Sequence, residues 1–172
     1  MPLRMVSHVC SLMKKLFLSI LGFQPSIGTL DSATNQLRKD GPVVIVTASF
    51  EGEPADNAAK FVDWLSHVEG SELSGVRFAV FGCGNHDWVQ TYQRIPKLCD
   101  ELLEQHGGKR LVTRGEGDAA ASDFFEVFDD FEAKLWDAVG KVSMLPRFLR
   151  SIIYYPDLGI PNGKERVSRK WI

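Results

Sequence analysis

The sequence predicts a three-layer α/β domain built on a parallel sheet. From Gly41 onward, short apolar runs alternate three times with amphipathic segments of helical length. The runs are continuous and rich in β-branched residues rather than alternating with polar ones, so each strand is expected to be buried on both faces, with helices covering both sides of the sheet. Strands that alternate with helices in this way join by right-handed crossovers and run parallel.

The first run is Pro42–Phe50 (PVVIVTASF). After it, Ala58, Phe61, Val62, Leu65 and Val68 recur at helical spacing, with Pro54 just ahead, where a missing N–H costs little. The second run is Val76–Phe81, followed by a helical pattern opening at Tyr92 and carrying Ile95, Leu98, Leu102 and Leu103, which Gly107-Gly108 should stop. The third is Arg110–Thr113, followed by an apolar helix face of Phe124, Phe125, Phe128, Phe131, Leu135 and Trp136. Asp123 and Glu126 resemble a capping box, and Gly140 is expected to end that helix. Gln24–Leu30 is a candidate for one further strand. Residues 1–21 read as helical, and the tail holds Pro146, Pro156 and Pro161 with no sustained period.

Composition narrows the function classes. At 172 residues the chain is long enough for one domain with a sizeable core, and 44% hydrophobic with 24% charged residues is ordinary for a globular protein. The net charge of −2 hides an asymmetry. Residues 41–140 hold 18 acidic against 8 basic side chains, whereas residues 141–172 hold 7 basic against 2 acidic. An acidic body argues against nucleic acid and suits a basic protein partner, or is simply a solvated surface. Three cysteines (Cys10, Cys83, Cys99) without recognisable spacing, and no glycosylation sequon, fit a reducing, cytoplasmic setting. The apolar run Leu16–Phe23 is far shorter than the ~18 residues a membrane span needs.

In open parallel sheets, ligands bind beyond the carboxyl ends of the strands. The loops to read are therefore Thr47–Asn57, Gly82–Tyr92 and Gly115–Ser122. The first carries Phe50 beside Gly52. The second, FGCGNHDW, sets Gly82 and Gly84 ahead of Trp88. Two aromatic faces beside permissive backbone suit a flat conjugated ligand, with backbone amides bonding its edge, although a loop aromatic more often caps the core. Other chemistries fit less well. Cys83 and His86 are close enough for a thiolate–imidazole or metal pair, but no second pair has ligand spacing. Gly159–Glu165 is not a P-loop, having three spacers and no preceding strand, and no G-x-S-x-G elbow occurs.

Three stretches together, TLDSATNQLRKDGPVVIVTASFEGEPADNAAKFVDWL, GVRFAVFGCGNHDWVQTYQRIPK and RGEGDAAASDFFEVFDDFEAKLW, resemble the FMN-binding, flavodoxin-like domain of the diflavin reductases. The resemblance is strongest to self-sufficient fatty-acid hydroxylases, in which a cytochrome P450 is fused to its reductase. It covers residues 22–139, leaving 1–21 and a basic tail, 140–172, unmatched. It implies that the isoalloxazine ring lies between Phe50 and Trp88, where the family usually has Tyr at the first position. It further implies backbone contacts from Ser49, Phe50, Glu51 and Gly52 and from Cys83, Gly84 and Asn85, with Thr91, Tyr92 and Gln93 alongside. The implied function is passage of single electrons from an FAD/NADPH reductase module to the haem of a cytochrome P450. The acidic helix bearing Asp129, Asp130 and Glu132 would steer a basic haem-protein face.

The family also has a first, central strand and a Ser/Thr/Gly-rich phosphate loop, and nothing before Gly22 resembles either. The expected fold is thus a flavodoxin-like sheet lacking that strand, with ring contacts present and the phosphate loop missing. The alternative is a cofactor-free truncated flavodoxin-like fragment with no redox activity and at most a binding role. No FAD or NADPH module follows, so the chain is not expected to oxidise NADPH alone.

Overall fold

The structure, a computed structural model, describes residues 26–142. The expectations for residues 1–21, for the central strand and phosphate loop, and for the tail beyond Val142 lie outside the described residues.

Two long parallel strands, β1 (Pro42–Phe50) and β3 (Arg77–Gly84), pair from Pro42↔Arg77 through Ala48↔Cys83. Both were legible as apolar runs. A two-residue strand, β2 (Glu53–Pro54), folds back antiparallel on the end of β1. On its other side β3 pairs in parallel with β4 (Lys109–Arg110) and then β5 (Gly115–Asp118). Three helices follow the strands: α1 (Ala59–Ser66), α2 (Arg94–Gln105) and α3 (Phe124–Val142).

Side chains alternate across the sheet, as extended backbone requires. Val43 and Ile45 of β1 and Phe78 and Val80 of β3 face Phe61, Leu65, Ile95 and Leu103 of α1 and α2. Val44, Val46 and Ala48, with Ala79, Phe81 and Cys83, face Phe124, Phe128, Phe131, Leu135 and Val139 of α3. Two cores separated by one sheet make three layers. The expected architecture is present.

Several element boundaries differ from expectation. The third strand was expected at Arg110–Thr113; it is instead the stub β4 and the separate β5, with Leu111–Arg114 bulged between them. Positions 78 to 81 of β3 face 110 to 115, so three steps are matched by five and the chain leaves the ladder. Gly115 and Gly117 explain why β5 escapes a propensity reading. A Cβ on Gly115 would lie 2.4 Å from the Phe81 ring, and one on Gly117 would lie 2.4 Å from the Phe124 ring. Only glycine lets this strand approach those rings, although glycine is otherwise poor in strands. Leu30 opens a single 3₁₀ turn, Leu30–Ala33, rather than closing a strand, and Gln24 and Pro25 lie outside the described residues. Pro54 belongs to β2, α2 starts at Arg94 rather than Tyr92, and α3 runs through Gly140 to Val142.

The N-terminus of α1 receives no side-chain cap from Ala58. Asp31 supplies one from the 3₁₀ turn: its Oδ1 accepts the N–H groups of Lys60 (2.9 Å) and Phe61 (3.2 Å), two of the donors a helix start leaves orphaned. At the other edge, Arg110 donates from Nε and Nη2 to Asp100 (both 2.9 Å) and from Nη1 to Glu104 (2.8 Å), tying α2 to β4. Burial makes a paired guanidinium–carboxylate of this kind costly to break from one side.

Phe81 centres the second core. It is fully buried, with ring centroids 6.0, 5.3 and 5.2 Å from Phe124, Phe128 and Phe131. Phe81→Ala is expected to lower the unfolding free energy by about 3–5 kcal/mol, read from urea denaturation. Phe125→Ala, at a 41% exposed position, is expected to cost about 1 kcal/mol or less. Equal losses would mean that the core is not organised around Phe81.

Candidate functional site

Because β1 and β3 are hydrogen-bonded neighbours in parallel register, their carboxyl ends open side by side. Ala48 pairs with Cys83, so the chain turns off the sheet after Phe50 of β1 and after Gly84 of β3 close to one level. Phe50 is 59% exposed and Trp88 is 64% exposed, and Val89 beside it is also exposed. Large apolar side chains left in water at two adjacent strand ends contrast with the closed cores beneath them.

The two loops are held together from below. A Cβ on Gly52, whose φ is +87°, would stand 3.0 Å from Thr91 Cγ2 and 3.0 Å from Arg94 Nη1. Glu51 also has a positive φ, 51°. A non-glycine residue in that region is strained, and such strain collects at functional loops. Arg94 Nη1 reaches to 3.9 Å from Glu53 across the same gap. Ser49 serves the structure through its side chain: its Oγ accepts the N–H of Ile95 at 2.9 Å, capping α2.

The loop after β3 is a chain of turns. Trp88 N–H donates to the Asn85 carbonyl (3.1 Å), Thr91 and Tyr92 N–H both donate to the Trp88 carbonyl (2.9 Å each), and Asp87 N–H donates to Asn85 Oδ1 (2.8 Å). Asn85 is therefore a turn-forming residue.

Gln93 is a buried clamp, with φ +58° and Nε2 donating to the carbonyls of Gly82 (3.1 Å) and Gly117 (3.4 Å). It thereby links α2 to β3 and β5. Tyr92 is half-buried against Gly84, where a Cβ would meet its ring at 2.8 Å. Burial pushes its phenol pKa up; the charges of Asp118 and Glu116 add to this, while a hydrogen bond from Gln93 and the charge of Arg114 oppose it.

Of the residues expected at the site, Phe50, Glu51, Gly52, Gly84, Asn85, Trp88, Thr91 and Tyr92 come together around the two loops. Cys83 and Gln93 sit one layer below, with buried side chains. The Cys83 side chain belongs to the core under α3, while the His86 ring faces Asp118, so each has a structural role outside any nucleophilic pair. No cluster of three or more metal-ligating side chains occurs among the described residues, nor is any described helix long and apolar enough to cross a membrane. On α3, Asp129 and Asp130 are exposed, with Asp130 2.6 Å from Lys134. Glu132 departs from expectation. It is half-buried, and burial, then the charge of Asp129, push its pKa up.

Residues 21–131 match the flavodoxin family model. The chain belongs to the flavodoxin family. It is 60% identical over 118 residues to a self-sufficient cytochrome P450 monooxygenase of Phanerodontia chrysosporium, a match covering 69% of this chain and 11% of that protein. It is 52% identical over 107 residues to a bifunctional cytochrome P450/NADPH–P450 reductase of Fusarium oxysporum (62% and 10% covered). A bifunctional protein of the same description from Bacillus subtilis is 48% identical over 116 residues (67% and 11%). The chain thus spans about a tenth of the length of these relatives. Among solved structures, a single-site variant of a Pseudomonas aeruginosa flavodoxin shares the fold, with a TM-score of 0.57 and 21% identity over 76% of this chain and 90% of that one.

The clamp under the flavodoxin rim is testable without any ligand. A Cβ on Gly82 would fall 1.8 Å from Gln93 Oε1 and 2.7 Å from Pro96 Cβ. Gly82→Ala is expected to destabilise by about 1–3 kcal/mol, through overpacking and a displaced Gln93. Combined with Gln93→Ala it should cost less than the two single changes added together. Strict additivity in urea denaturation would show that Gly82 and Gln93 do not share the space.

Proposed function

We propose that this chain is an FMN-binding electron-transfer domain of the NADPH–cytochrome P450 reductase type, spanning residues 22–139. The observation that carries the reading is the pair of exposed rings, Phe50 and Trp88, at the ends of adjacent parallel strands in a flavodoxin sheet. A flat, conjugated group fits such a pair, because each ring offers an apolar face and the glycine-bearing backbone beside it offers hydrogen-bonding edges. The sequence before Gly22 does not resemble the family's phosphate loop, so the assignment rests on the ring side of the cofactor.

FMN, when bound, supplies one-electron redox chemistry; the protein's share is binding, orientation and tuning of potential. Phe50 and Trp88 would sandwich the ring and keep water from its faces. Backbone groups of Ser49–Gly52 and Cys83–Asn85 would bond its polar edge, with Thr91, Tyr92 and Gln93 alongside. Gln93, Ser49 and the strained turn at Glu51–Gly52 hold both loops in place before any ligand arrives. That preorganisation lowers the ordering cost of binding.

The relatives at 52% and 48% identity are bifunctional cytochrome P450/NADPH–P450 reductases. By extension the electron donor here is an FAD/NADPH reductase module and the acceptor a cytochrome P450 haem, in a reducing, cytoplasmic setting. The exposed acidic side chains Asp129 and Asp130 of α3 suit a basic face on the acceptor. With Glu132 partly turned inward, the steering charge on this helix is smaller than its sequence suggests.

Titration with FMN, followed by absorption and by quenching of flavin fluorescence, tests the reading. A resolved, shifted flavin band and quenched emission are expected. Trp88→Ala should raise Kd at least about tenfold, the effect of losing roughly 1.5–3 kcal/mol of stacking and apolar burial. Phe50→Tyr, which keeps the ring, should change it little. A spectrum identical to that of free FMN, or unaltered affinity in Trp88→Ala, would reject the stacking site.

A further inference from the structure

We propose that His86 and Asp118 form a proton-operated latch that pins the Trp88 loop to the end of β5. The two residues are 32 positions apart and meet because Gly84 pairs with Asp118 in the β3–β5 register. Asp118 Oδ2 faces His86 Nδ1, and its Oδ1 accepts the His86 N–H (3.1 Å) and the Ala120 N–H (3.0 Å). Ala119 N–H closes the junction on the Gly84 carbonyl at 2.7 Å. One carboxylate thus holds the backbone and the ring of the residue two places before Trp88. Trp88 itself donates only to Asn85 within its own loop among the bonds described. The His86–Asp118 junction therefore ties the first half of this exposed indole's loop to β5, beside the Gln93 clamp that holds its far end.

The ionisable neighbours favour a charged His86. Facing its ring are Asp118 from β5 and, within its own loop, Asp87, whose Oδ1 lies 3.8 Å from Nε2. No cation is among the groups acting on it. Asp118 also acts on Tyr92, which feels Glu116 and Arg114 as well, and those two pair with each other at 2.6 Å. The hydrogen bond to Asp118, then its charge, raise the His86 pKa above the ordinary 6.5. Burial pushes the Asp118 pKa up, but the bonds from the His86 ring and from the Ala120 and His86 N–H groups outweigh it and leave it lowered. The charged pairing is therefore complete below the ordinary histidine value, and as pH climbs through the raised one it gives way to the weaker, uncharged hydrogen bond of a neutral Nδ1–H ring. The Oδ1 contacts to backbone persist after His86 loses its proton, so the loop loosens without leaving the sheet.

The latch belongs to the protein alone, whereas its effect on flavin rests on the function proposed above. In the flavin-free chain, the His86 ring proton and the Trp88 indole N–H are followed by NMR from about pH 5 to about pH 9, spanning histidine titration. Trp88 is expected to shift with the His86 midpoint, and that midpoint should exceed 6.5. Asp118→Asn, which keeps the Oδ1 acceptor, should bring the midpoint back towards the ordinary value. His86→Lys, permanently charged over this range, should remove the step from Trp88. A Trp88 resonance that ignores the His86 midpoint, or a midpoint unmoved by Asp118→Asn, overturns the latch. With FMN added, Kd should rise on the order of two- to fivefold across the same step, the size expected of an exposed ion pair, and stay flat in His86→Lys. A Trp88 step with no change in FMN affinity would support the latch and overturn its coupling to flavin binding.

Discussion

The parallel register of β1 against β3 is the constraint on which the rest of this molecule depends. Seven consecutive residue pairs, Pro42↔Arg77 through Ala48↔Cys83, fix which side chains face which core and where each strand stops. A slip of one residue would exchange the two faces and send Phe81 away from the phenylalanines of α3. The same register sets Phe50 and Trp88 on neighbouring loops at one rim. Fold and candidate site are thus consequences of a single alignment, itself enforced by apolar burial on both sides of the sheet.

Beneath the rim, polar groups are spent on rigidity. The Ser49 hydroxyl caps α2, Gln93 bridges two strands, and Arg110 bonds two acidic residues of α2. Glu51, Gly52 and Gln93 adopt positive φ, a conformation that persists only where the surroundings impose it. The aromatic rings above are exposed, and they are the parts a ligand would cover. A rigid scaffold carrying exposed rings is a geometry suited to binding a preformed flat molecule, with little ordering left to be done on association.

Much of this was legible in the sequence, for identifiable reasons. The strands β1 and β3 and the apolar faces of all three helices follow from periodicity, because burial on both sides of a parallel sheet leaves an unmistakable run. The strand β5 (GEGD) was not legible as a strand: its glycines answer to Phe81 and Phe124, which lie 34 and 7 residues away from Gly115 and Gly117 respectively. Propensity sees only neighbours. The Asp31 cap on α1 and the His86–Asp118 junction were hidden likewise, each joining segments that only the fold brings together. Gly140 was misread as a stop because a glycine ends a helix only where the chain turns, and here α3 continues to Val142. Phe50 and Trp88 stood out through their motifs and family resemblance, since an exposed aromatic leaves no periodic trace. Ser49, Cys83 and Gln93 came from the same resemblance, and their side chains prove to serve packing and capping.

Amide and indole NMR of the isotope-labelled chain maps directly where FMN touches it. Stacking between the two loops requires shifts at the Trp88 indole and at the amides of Phe50, Gly52, Gly84 and Asn85, with Arg77 and Lys109 at the opposite ends of the strands unmoved. Shifts centred on those far ends, or none at the two loops when flavin is in large excess, would contradict it.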